Sequence, residues 1–276
     1  MAVLSHKQSL HSAENCDILY LVKKNQMCRR TEKMYEFHTK VRYSELDEHG
    51  KLSLNGMIND FQDTTNFHSL SLGMGLDYVE RVQQFWMLVF WQIIIDRYPV
   101  HGEEIRVGTQ AYDFSTTLGL RNFVIMDSDG TYMVRANSIW TLIDGKTRHP
   151  MRIPAEMREA YGHADPIPME YAPRKIKLAD NMVPFEGIKV TRHMIDSNHH
   201  VNNGQYVQIA ADLLPGEAEI RELRVEYKRQ AMLGEMIIPY MGKDEERYVV
   251  SLCGADKKPY AIVALYPKDR IQQGGE

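Results

Sequence analysis

Apolar and polar positions along the chain first follow a regular pattern near residue 35. The segment Tyr35 to Tyr43 alternates and predicts a strand. Residues 53–69 carry apolar side chains at helical spacing behind Ser53, a residue type favoured as an N-cap. One strand, one long helix and then several strands is an order typical of an α+β fold. Alternation predicts these further strands at 85–98, 104–114, 119–127 and 132–143.

The same order begins again in the second half of the chain. Lys189 to His193 predicts a strand, and residues 203–214 predict a helix that ends at Pro215-Gly216. A charged, proline-bearing stretch with one short helix at 155–161 separates the halves. Further strands are predicted at 219–230, 235–242, 248–254 and 260–267. We therefore predict an N-terminal extension, a first domain, a linker and a second domain at residues 1–33, 34–150, 151–180 and 181–270.

Composition narrows the class of protein. The chain has 276 residues, 43% of them hydrophobic and 25% charged, which is typical of an ordinary soluble globular protein. A net charge of −4 argues against a general nucleic-acid binder, and three cysteines without a spaced framework fit a reducing cytosol. The strongest apolar run, Phe85 to Ile95, is too short to span a bilayer. We expect a cytoplasmic protein with no nucleic-acid partner and no membrane insertion.

The most informative polar stretch is Asp196 to Tyr206. It places Asp196, Asn198 and His200 at alternate positions, directly before the second predicted helix. In an extended or turning backbone alternate side chains point the same way, so these three groups are expected to converge. An acid or base, a hydrogen-bonding orienter and the free N–H groups of a helix start suffice to add water to a carbonyl. Asn-rich segments are also common turns and helix caps, and that alternative stays open.

Metal binding at this stretch is the weaker interpretation. His193, Asp196, His199 and His200 lie close together in the sequence. Adjacent histidines point apart, however, and no H-x-x-x-H or C-x-x-C spacing accompanies them. We therefore expect no metal and no cofactor.

A degenerate internal repeat relates the two halves. Asp47 lies 149 residues before Asp196, and each is preceded by a predicted strand and followed by a helix and more strands. Lys51 stands in the first copy where His200 stands in the second. Two structural copies with one set of catalytic residue types suggest that one half does chemistry while the other completes the pocket.

Three stretches in this order resemble the acyl-acyl carrier protein thioesterase family, over roughly residues 35–266. They are Asn198 to Tyr206, like its N-x-H-V-N-N-x-x-Y, Arg97 to Glu103, like its R-Y-P-x-x-G-D, and Arg135 to Trp140, like its R-A-x-S-x-W, with Ile153-Pro154 downstream. The resemblance implies two tandem hotdog domains, each an antiparallel sheet wrapped around a long central helix. It agrees with the α+β order of the elements.

The resemblance also implies an activity and its residues. The family hydrolyses the thioester of acyl-acyl carrier protein and releases free fatty acid, which ends chain elongation. Its catalytic aspartate, asparagine and histidine fall on Asp196, Asn198 and His200, which would activate and hold a water. A further family glutamate falls on Gln230, which cannot act as a general base but can orient water. Whether Glu226, on the same predicted strand, replaces it is left open.

The implied substrate requires an apolar pocket and a basic rim for an acidic carrier protein bearing acyl-phosphopantetheine. Each pocket candidate is equally consistent with ordinary core packing, and each basic one with a solvated surface. The pocket candidates are Met57, Phe61, Trp86, Met87, Val89 and Trp91. The rim candidates are Arg174, Lys175, Lys177, Arg192, Lys228 and Arg229, with Arg224 beside them.

Three other functions are compatible with the same residues. The fold would also serve coenzyme A thioesters or a hotdog dehydratase. An acyl-binding module without turnover is the alternative from another class, and Gln230 is the main reason to consider it. The fused halves already resemble a dimer, and further pairing of two chains into a homodimer is left open.

Overall fold

The structure, a computed structural model, describes residues 34–216 and 218–268. The predicted N-terminal extension, 1–33, lies outside the described residues. Four helices are present in the described part: α1 Leu54–Ser71, α2 Leu76–Val82, α3 Ala155–Tyr161 and α4 Asn203–Ala211. Its strands are β1 Tyr35–Lys40, β2 Gln84–Ile95, β3 Glu104–Phe114, β4 Leu118–Met126, β5 Tyr132–Asp144, β6 Val183–Pro184, β7 Ile188–Lys189, β8 Ile220–Tyr227, β9 Met236–Lys243, β10 Tyr248–Cys253 and β11 Pro259–Pro267.

The strands form one antiparallel sheet that runs through both halves. Its order is β1-β3-β4-β5-β2-β8-β11-β10-β9-β6, and β7 pairs with β9. The halves join where β2 pairs with β8, from Phe90 opposite Glu226 to Ile94 opposite Glu222. The sheet is therefore a fusion of two half-sheets, and each half-sheet has its own helix.

Helix α1 is packed into the first half-sheet through one apolar face. Ser53 caps the helix, and its side chain accepts a hydrogen bond from the Gly56 N–H at 3.0 Å. Phe61 is fully buried, with its ring centre 5.5 Å from that of Trp91 and 5.1 Å from that of Phe123. Such aromatic packing contributes beyond simple area burial, so it fixes the helix against the sheet.

Helix α4 occupies the matching position in the second half. Tyr206 is 2% exposed, and its hydroxyl accepts a hydrogen bond from the Ala231 N–H at 2.9 Å. The two helices touch: Asn203 Nδ2 donates to Gln62 Oε1 at 2.9 Å, and a side chain at Gly204 would collide with Asn55. The fold-class prediction is confirmed, although α4 ends at Ala211 instead of the expected Leu214.

The stretch predicted as a linker is packed along the sheet. The Ile167 N–H donates to Asn122 Oδ1 at 3.1 Å, and the Ala172 N–H donates to Gln92 Oε1 at 2.8 Å. Ile167 and Ile176 are both 5% exposed. Residues 163–176 therefore cover part of the sheet face opposite the helices.

The repeat inferred from the sequence is visible in the structure, because the turns at Asp47 and Asp196 have the same pattern of hydrogen bonds. Asp47 Oδ1 accepts the N–H groups of His49 and Lys51 at 3.0 and 2.9 Å. Asp196 Oδ1 accepts those of Asn198 and His200 at 2.8 and 3.3 Å. A short 3-10 helix precedes each turn, at Tyr43–Glu45 and at Arg192–Met194.

One predicted strand is wrong in its extent, and one helix was missed. The strand expected at Lys189 to His193 ends at Lys189, because the chain turns into the 3-10 helix that leads to Asp196. Helix α2 was not predicted. None of its seven residues is buried, so its sequence has no periodic apolar pattern that would indicate a helix. None of the described helices is long and apolar enough to cross a membrane.

Candidate active site

The Asp196 loop is a tight turn stabilised by its own carboxylate. Both N–H groups that reach the carboxylate use Oδ1, and the Asp196 N–H donates to the His200 carbonyl at 2.8 Å. An antiparallel bridge between Ile195 and Val201 closes the turn. Asp196 therefore fixes the backbone on which Asn198 and His200 are carried.

His199 has a strained backbone within this turn. Its φ is 63°, in the left-handed region that favours glycine, and the equivalent residue of the first half is Gly50, with φ 74°. A non-glycine residue in this conformation costs of order 1–3 kcal/mol and is found mainly at functional sites. The second turn thus carries strain that the first one avoids.

His200 is the group best suited to accept a proton here. Its side chain is half-buried, and Nδ1 is buried with no hydrogen-bond partner in the part of the chain described. Burial lowers the pKa of His200, and the positive charges of Arg148 and His199 lower it further, against the attraction of Asp196. The imidazole is therefore neutral at pH 7 and can take a proton.

Arg148 also influences the candidate site, and nothing in the sequence indicates this. It lies just after β5, in the first half, and its N–H donates to the Asp144 carbonyl at 2.8 Å. Its guanidinium lies 5.8 Å from the centre of the Phe85 ring. The Asp196 loop lies at the junction of the halves, because Asn203, just after it, donates to Gln62 of α1 at 2.9 Å. The charge of Arg148 lowers the pKa of His200. No sequence pattern links residues 148 and 200, so only the fold shows this.

The start of α4 is partly occupied by its own cap. The Gly204 N–H, one of the groups expected to be free, donates to Asn202 Oδ1 at 2.8 Å. The Gln205 N–H donates to the Asn202 carbonyl at 3.0 Å. Any oxyanion donor at this end must come from the other N–H groups of the loop and helix start.

Asn198 and Gln230 are both exposed. Gln230 directly precedes Ala231, whose carbonyl accepts the Val201 N–H at 3.1 Å. The chain after β8 is therefore held against the loop that carries His200, and Gln230 lies at that contact. Neither side chain has a hydrogen bond or ion pair within residues 34–216 and 218–268, so the roles of both residues stay predictions.

Glu226 does not replace the expected glutamate. Its carboxylate accepts the Ile176 N–H at 3.2 Å and pairs with Lys228. Its neighbour Val225 faces the helix-side core, so Glu226 faces the opposite side, beneath residues 163–176. It is 5% exposed and separated from the loop by the sheet.

A small cavity lies between the first half-sheet and the C-terminal end of α1. Its volume is about 30 Å³, and its walls include Thr65, Trp86, Phe114, Arg121 and Tyr161. Room for an acyl chain requires these side chains to move, because the volume is that of only one or two waters.

The six predicted pocket residues fall into different surroundings. Trp86 lines the cavity, and Met87 beside it is half-buried. The structure places Val89 elsewhere, at a bulge in β2, where it packs near Phe90. The remaining three are fully buried in the main core: Met57, Phe61 and Trp91.

The comparison with protein families agrees with this architecture. Residues 32–161 match the acyl-ACP thioesterase N-terminal domain, and residues 179–253 match the acyl-ACP thioesterase C-terminal domain. The chain belongs to the acyl-ACP thioesterase family.

Curated relatives of this family are plant proteins. An acyl-[acyl-carrier-protein] hydrolase, FATB3, chloroplastic, from Cuphea viscosissima is 28% identical over 208 residues, which are 69% of this chain and 50% of the relative. A palmitoyl-acyl carrier protein thioesterase, chloroplastic, from Gossypium hirsutum is 26% identical, with the same two shares. The chain thus spans about half the length of the curated relatives it matches.

Solved structures of the acyl-ACP thioesterase family share the fold. An acyl-ACP thioesterase from Bacteroides thetaiotaomicron aligns with a TM-score of 0.77 and 23% identity, over 84% of this chain and 97% of that one. A 12:0-ACP thioesterase from Umbellularia californica aligns with a TM-score of 0.74 and 20% identity, over 85% and 98%. These likenesses establish the two hotdog domains.

The basic residues predicted to face the carrier protein do not all behave alike. Lys175 and Lys177 line an open groove of about 540 Å³ together with Arg224, and acidic residues 244–246 line it too. Two further candidates in the second half have paired charges: Lys228 pairs with Glu226, and Arg229 donates to Asp256 at 3.0 Å. Arg174 and Arg192 are exposed.

No group of three or more His, Cys, Asp or Glu within residues 34–216 and 218–268 is arranged to hold a metal ion. His193 bonds locally instead, with its Nδ1 3.1 Å from Thr191 Oγ1.

Proposed function

We propose that this protein hydrolyses the thioester of acyl-acyl carrier protein and releases the free fatty acid. The observation that carries the proposal is the half-buried His200, whose Nδ1 has no partner among the described residues and whose pKa is lowered. It lies on a turn in which His199 takes the left-handed position that Gly50 takes in the first half. Membership of the family supports the substrate class.

In the proposed mechanism, His200 takes a proton from a water that attacks the thioester carbonyl. Asp196 holds the turn and stabilises the imidazolium that forms, since its attraction favours the charged form. Asn198 positions the water or the carbonyl. The N–H groups of Ser197 and Asn203, which have no acceptor among the described residues, receive the developing oxyanion. The thiol of the carrier's phosphopantetheine then leaves with the proton held by His200, and no covalent enzyme intermediate forms.

In the proposed division of labour, residues 34–150 supply the acyl pocket and residues 181–270 supply the catalytic groups. Gln230 then orients water without exchanging a proton. The carrier protein docks on the exposed basic residues around Arg174, Lys175 and Lys177. If that docking matters, added salt weakens hydrolysis of carrier-linked substrates because it screens exposed charges.

The experiment compares hydrolysis of carrier-linked and coenzyme A-linked acyl thioesters over a panel of chain lengths. Wild type is expected to release free fatty acid and to favour the carrier-linked form. Asp196→Asn is expected to lower kcat/KM, whereas Asp47→Asn, its structural counterpart, should leave kcat/KM unchanged. Both substitutions weaken the same pair of N–H contacts, so a loss caused by the turn alone would be seen in both.

The acyl-binding module remains the rival from another class, and the exposed Gln230 in place of the expected glutamate is what favours it. Under that function the protein binds acyl groups, but no thioester is turned over and Asp196→Asn leaves binding unchanged. Preference for the coenzyme A-linked form, or loss of water from a 3-hydroxyacyl substrate, would favour the two other enzymatic functions.

A further inference from the structure

A buried guanidinium lies in the wall of the small cavity of the first half. Arg121, on β4, is 6% exposed and lies on the same side of the strand as Phe123. Its Nη1 lies 2.9 Å from His68 Nδ1 and donates to Thr109 Oγ1 at 3.2 Å, and the guanidinium carbon lies 5.0 Å from the centre of the Tyr161 ring. Each of these partners is uncharged. His68 must carry its proton on Nε2, because Nδ1 accepts from Arg121.

The charge of Arg121 is not balanced by a carboxylate within residues 34–216 and 218–268. Other arginines of the sheet do have one: Arg135 lies 2.8 Å from Asp96, and Arg106 lies 3.4 Å from Glu36. Burial lowers the pKa of Arg121 to about 10, which still leaves it protonated at neutral pH. Burying a charge without a partner is strongly unfavourable, so a site that keeps one is poised for a ligand that compensates it.

Several hydrogen-bond donors of Arg121 remain available. A guanidinium has five N–H donors, and both hydrogen bonds described above use Nη1. Nε and Nη2 have no acceptor among the described residues, and Arg121 lines the cavity. The neighbouring polar groups are already used: the hydroxyls of Tyr161 and Ser69 lie 2.8 Å apart. Arg121 therefore brings unused donors to the wall of the cavity.

The cavity is close to the start of the helix that follows the proposed catalytic loop. Thr65, one of its walls, lies three residues after Gln62 on α1, and Gln62 Oε1 accepts a hydrogen bond from Asn203 Nδ2 at 2.9 Å. Residues three apart on a helix lie on the same face. An acyl chain that runs from the start of α4 along this face of α1 therefore meets the cavity wall that contains Arg121.

We propose that this cavity selects an acyl group that carries an acceptor oxygen away from the thioester, and that the guanidinium of Arg121 is the group that recognises it. The proposal rests on the thioester hydrolysis proposed above. A hydroxyl oxygen satisfies the unused donors, and a carboxylate also neutralises the buried charge. A plain alkyl chain does neither, and it leaves the guanidinium desolvated and unpaired.

The test measures kcat/KM on carrier-linked acyl thioesters with a terminal methyl, hydroxyl or carboxylate, matched in length over a series of chain lengths. Wild type is expected to favour one oxygenated series over the plain one by about tenfold or more, since a hydrogen bond to a charged group is worth that much. A higher kcat/KM for the hydroxyl series indicates that the recognised oxygen is neutral, and a higher kcat/KM for the carboxylate series indicates that it is anionic. Arg121→Met should abolish the preference by slowing the oxygenated series and speeding the plain one. Arg106→Met, whose arginine is paired with Glu36, is the matched control and should retain the preference.

Failure of this proposal is distinguishable from failure of the proposed function. If wild type hydrolyses plain chains best at every length, or Arg121→Met leaves the preference unchanged, the selection is refuted while the hydrolysis stands. If no thioester is hydrolysed, calorimetric binding of the free plain, hydroxylated and dicarboxylic acids tests the cavity directly, and equal affinities overturn the proposal. Thermal unfolding completes the test: an unchanged or higher Tm for Arg121→Met supports a ligand-directed charge, whereas a lower Tm with unchanged preference assigns Arg121 a structural role.

Discussion

The turns at Asp47 and Asp196 have the same backbone and different side chains. In the first, Gly50 takes the left-handed position and Lys51 is engaged, 3.0 Å from Glu219 and above the Tyr98 ring. In the second, His199 takes the left-handed position. The buried Nδ1 of His200 has no hydrogen-bond partner in the described part of the chain. The first turn therefore joins the two halves, whereas the second leaves a base available.

This difference shows where a duplicated fold can place function. The hydrogen bonds from Asp47 and Asp196 maintain the shape of both turns. The chemistry of each turn then depends on the side chains at a few positions of that backbone. The two turns differ at these positions: Gly50 and Lys51 in the first correspond to His199 and His200 in the second. The predictions for His200 and His199 use the equivalent residues of the first turn, Lys51 and Gly50, as their references.

The largest expected effect comes from His200→Gln, which removes the base and keeps a polar side chain of similar size. We expect kcat to fall by roughly 10²–10⁴-fold, the usual contribution of general base catalysis, with little change in substrate binding. Steady-state release of fatty acid measures it. Lys51→Gln is the reference, and it should cost at most about 1 kcal/mol of stability through its exposed ion pair, with kcat unchanged. Equal turnover in the two variants would remove His200 from the mechanism.

The next effect concerns Asp60, a buried carboxylate of α1 at the position that Ile209 holds in α4. Burial, then repulsion from Glu45, raises the pKa of Asp60 to about 7, although Arg42 opposes the shift. The folded state therefore binds the proton more tightly than the unfolded state, and stability falls as pH rises from about 4 to about 7. Asp60→Asn should remove this fall and raise the free energy of unfolding at pH 8 by on the order of 2–4 kcal/mol. Urea unfolding at pH 5 and pH 8 measures it, and a gain of equal size at both pH values would contradict the assignment.

A smaller effect is expected from relieving the strain at His199. His199→Gly gives the second turn the residue type of the first and should stabilise the protein by about 1 kcal/mol. Gly50→Ala, its counterpart, should destabilise the protein, because nothing lies near the added carbon and only the positive φ opposes it. Thermal unfolding compares the two. A loss of stability in His199→Gly would mean that the histidine side chain contributes more than its backbone strain costs.

The smallest expected effect is a shift in the pH dependence of kcat/KM. Because Arg148 lowers the pKa of His200, Arg148→Gln should move the acid limb of the kcat/KM profile to higher pH. Arg135→Gln, whose arginine pairs with Asp96, is a control that leaves the limb in place. An unmoved limb in Arg148→Gln would show that the charge of Arg148 does not contribute to the lowered pKa of His200.

The sequence was sufficient for most of the fold because alternation and helical spacing are local. The bounds of β3 and α3 are as predicted, and Ser53 caps α1 as expected. The prediction of secondary structure fails at α2, because this helix buries no side chain and so has no apolar period in its sequence. It also fails after Lys189, where the chain leaves the strand and turns into a 3-10 helix. The packing of residues 163–176 along the sheet depends on buried partners such as Gln92 and Asn122, whose role is not apparent from their neighbours in the sequence.

The candidate site was predictable in part for the same reason. Asp196, Asn198 and His200 lie within five residues, so one short motif contains them. Arg148 comes from the other half, and the tertiary contacts that bring the halves together, such as the pairing of β2 with β8, are not apparent from the sequence. Arg121 did leave a signal in the sequence, since it interrupts an apolar strand on the same face as Phe123. That signal does not say whether such a charge is structural or faces a ligand.

The measurement that tests the central claim most directly is an NMR titration of the His200 imidazole, with the pH dependence of kcat/KM measured on the same protein. His200 is predicted to titrate below the ordinary histidine value of about 6.5, at the pH at which activity falls on the acid side. A His200 pKa at or above that value, or an acid limb at a different pH, would contradict a neutral His200 acting as the base.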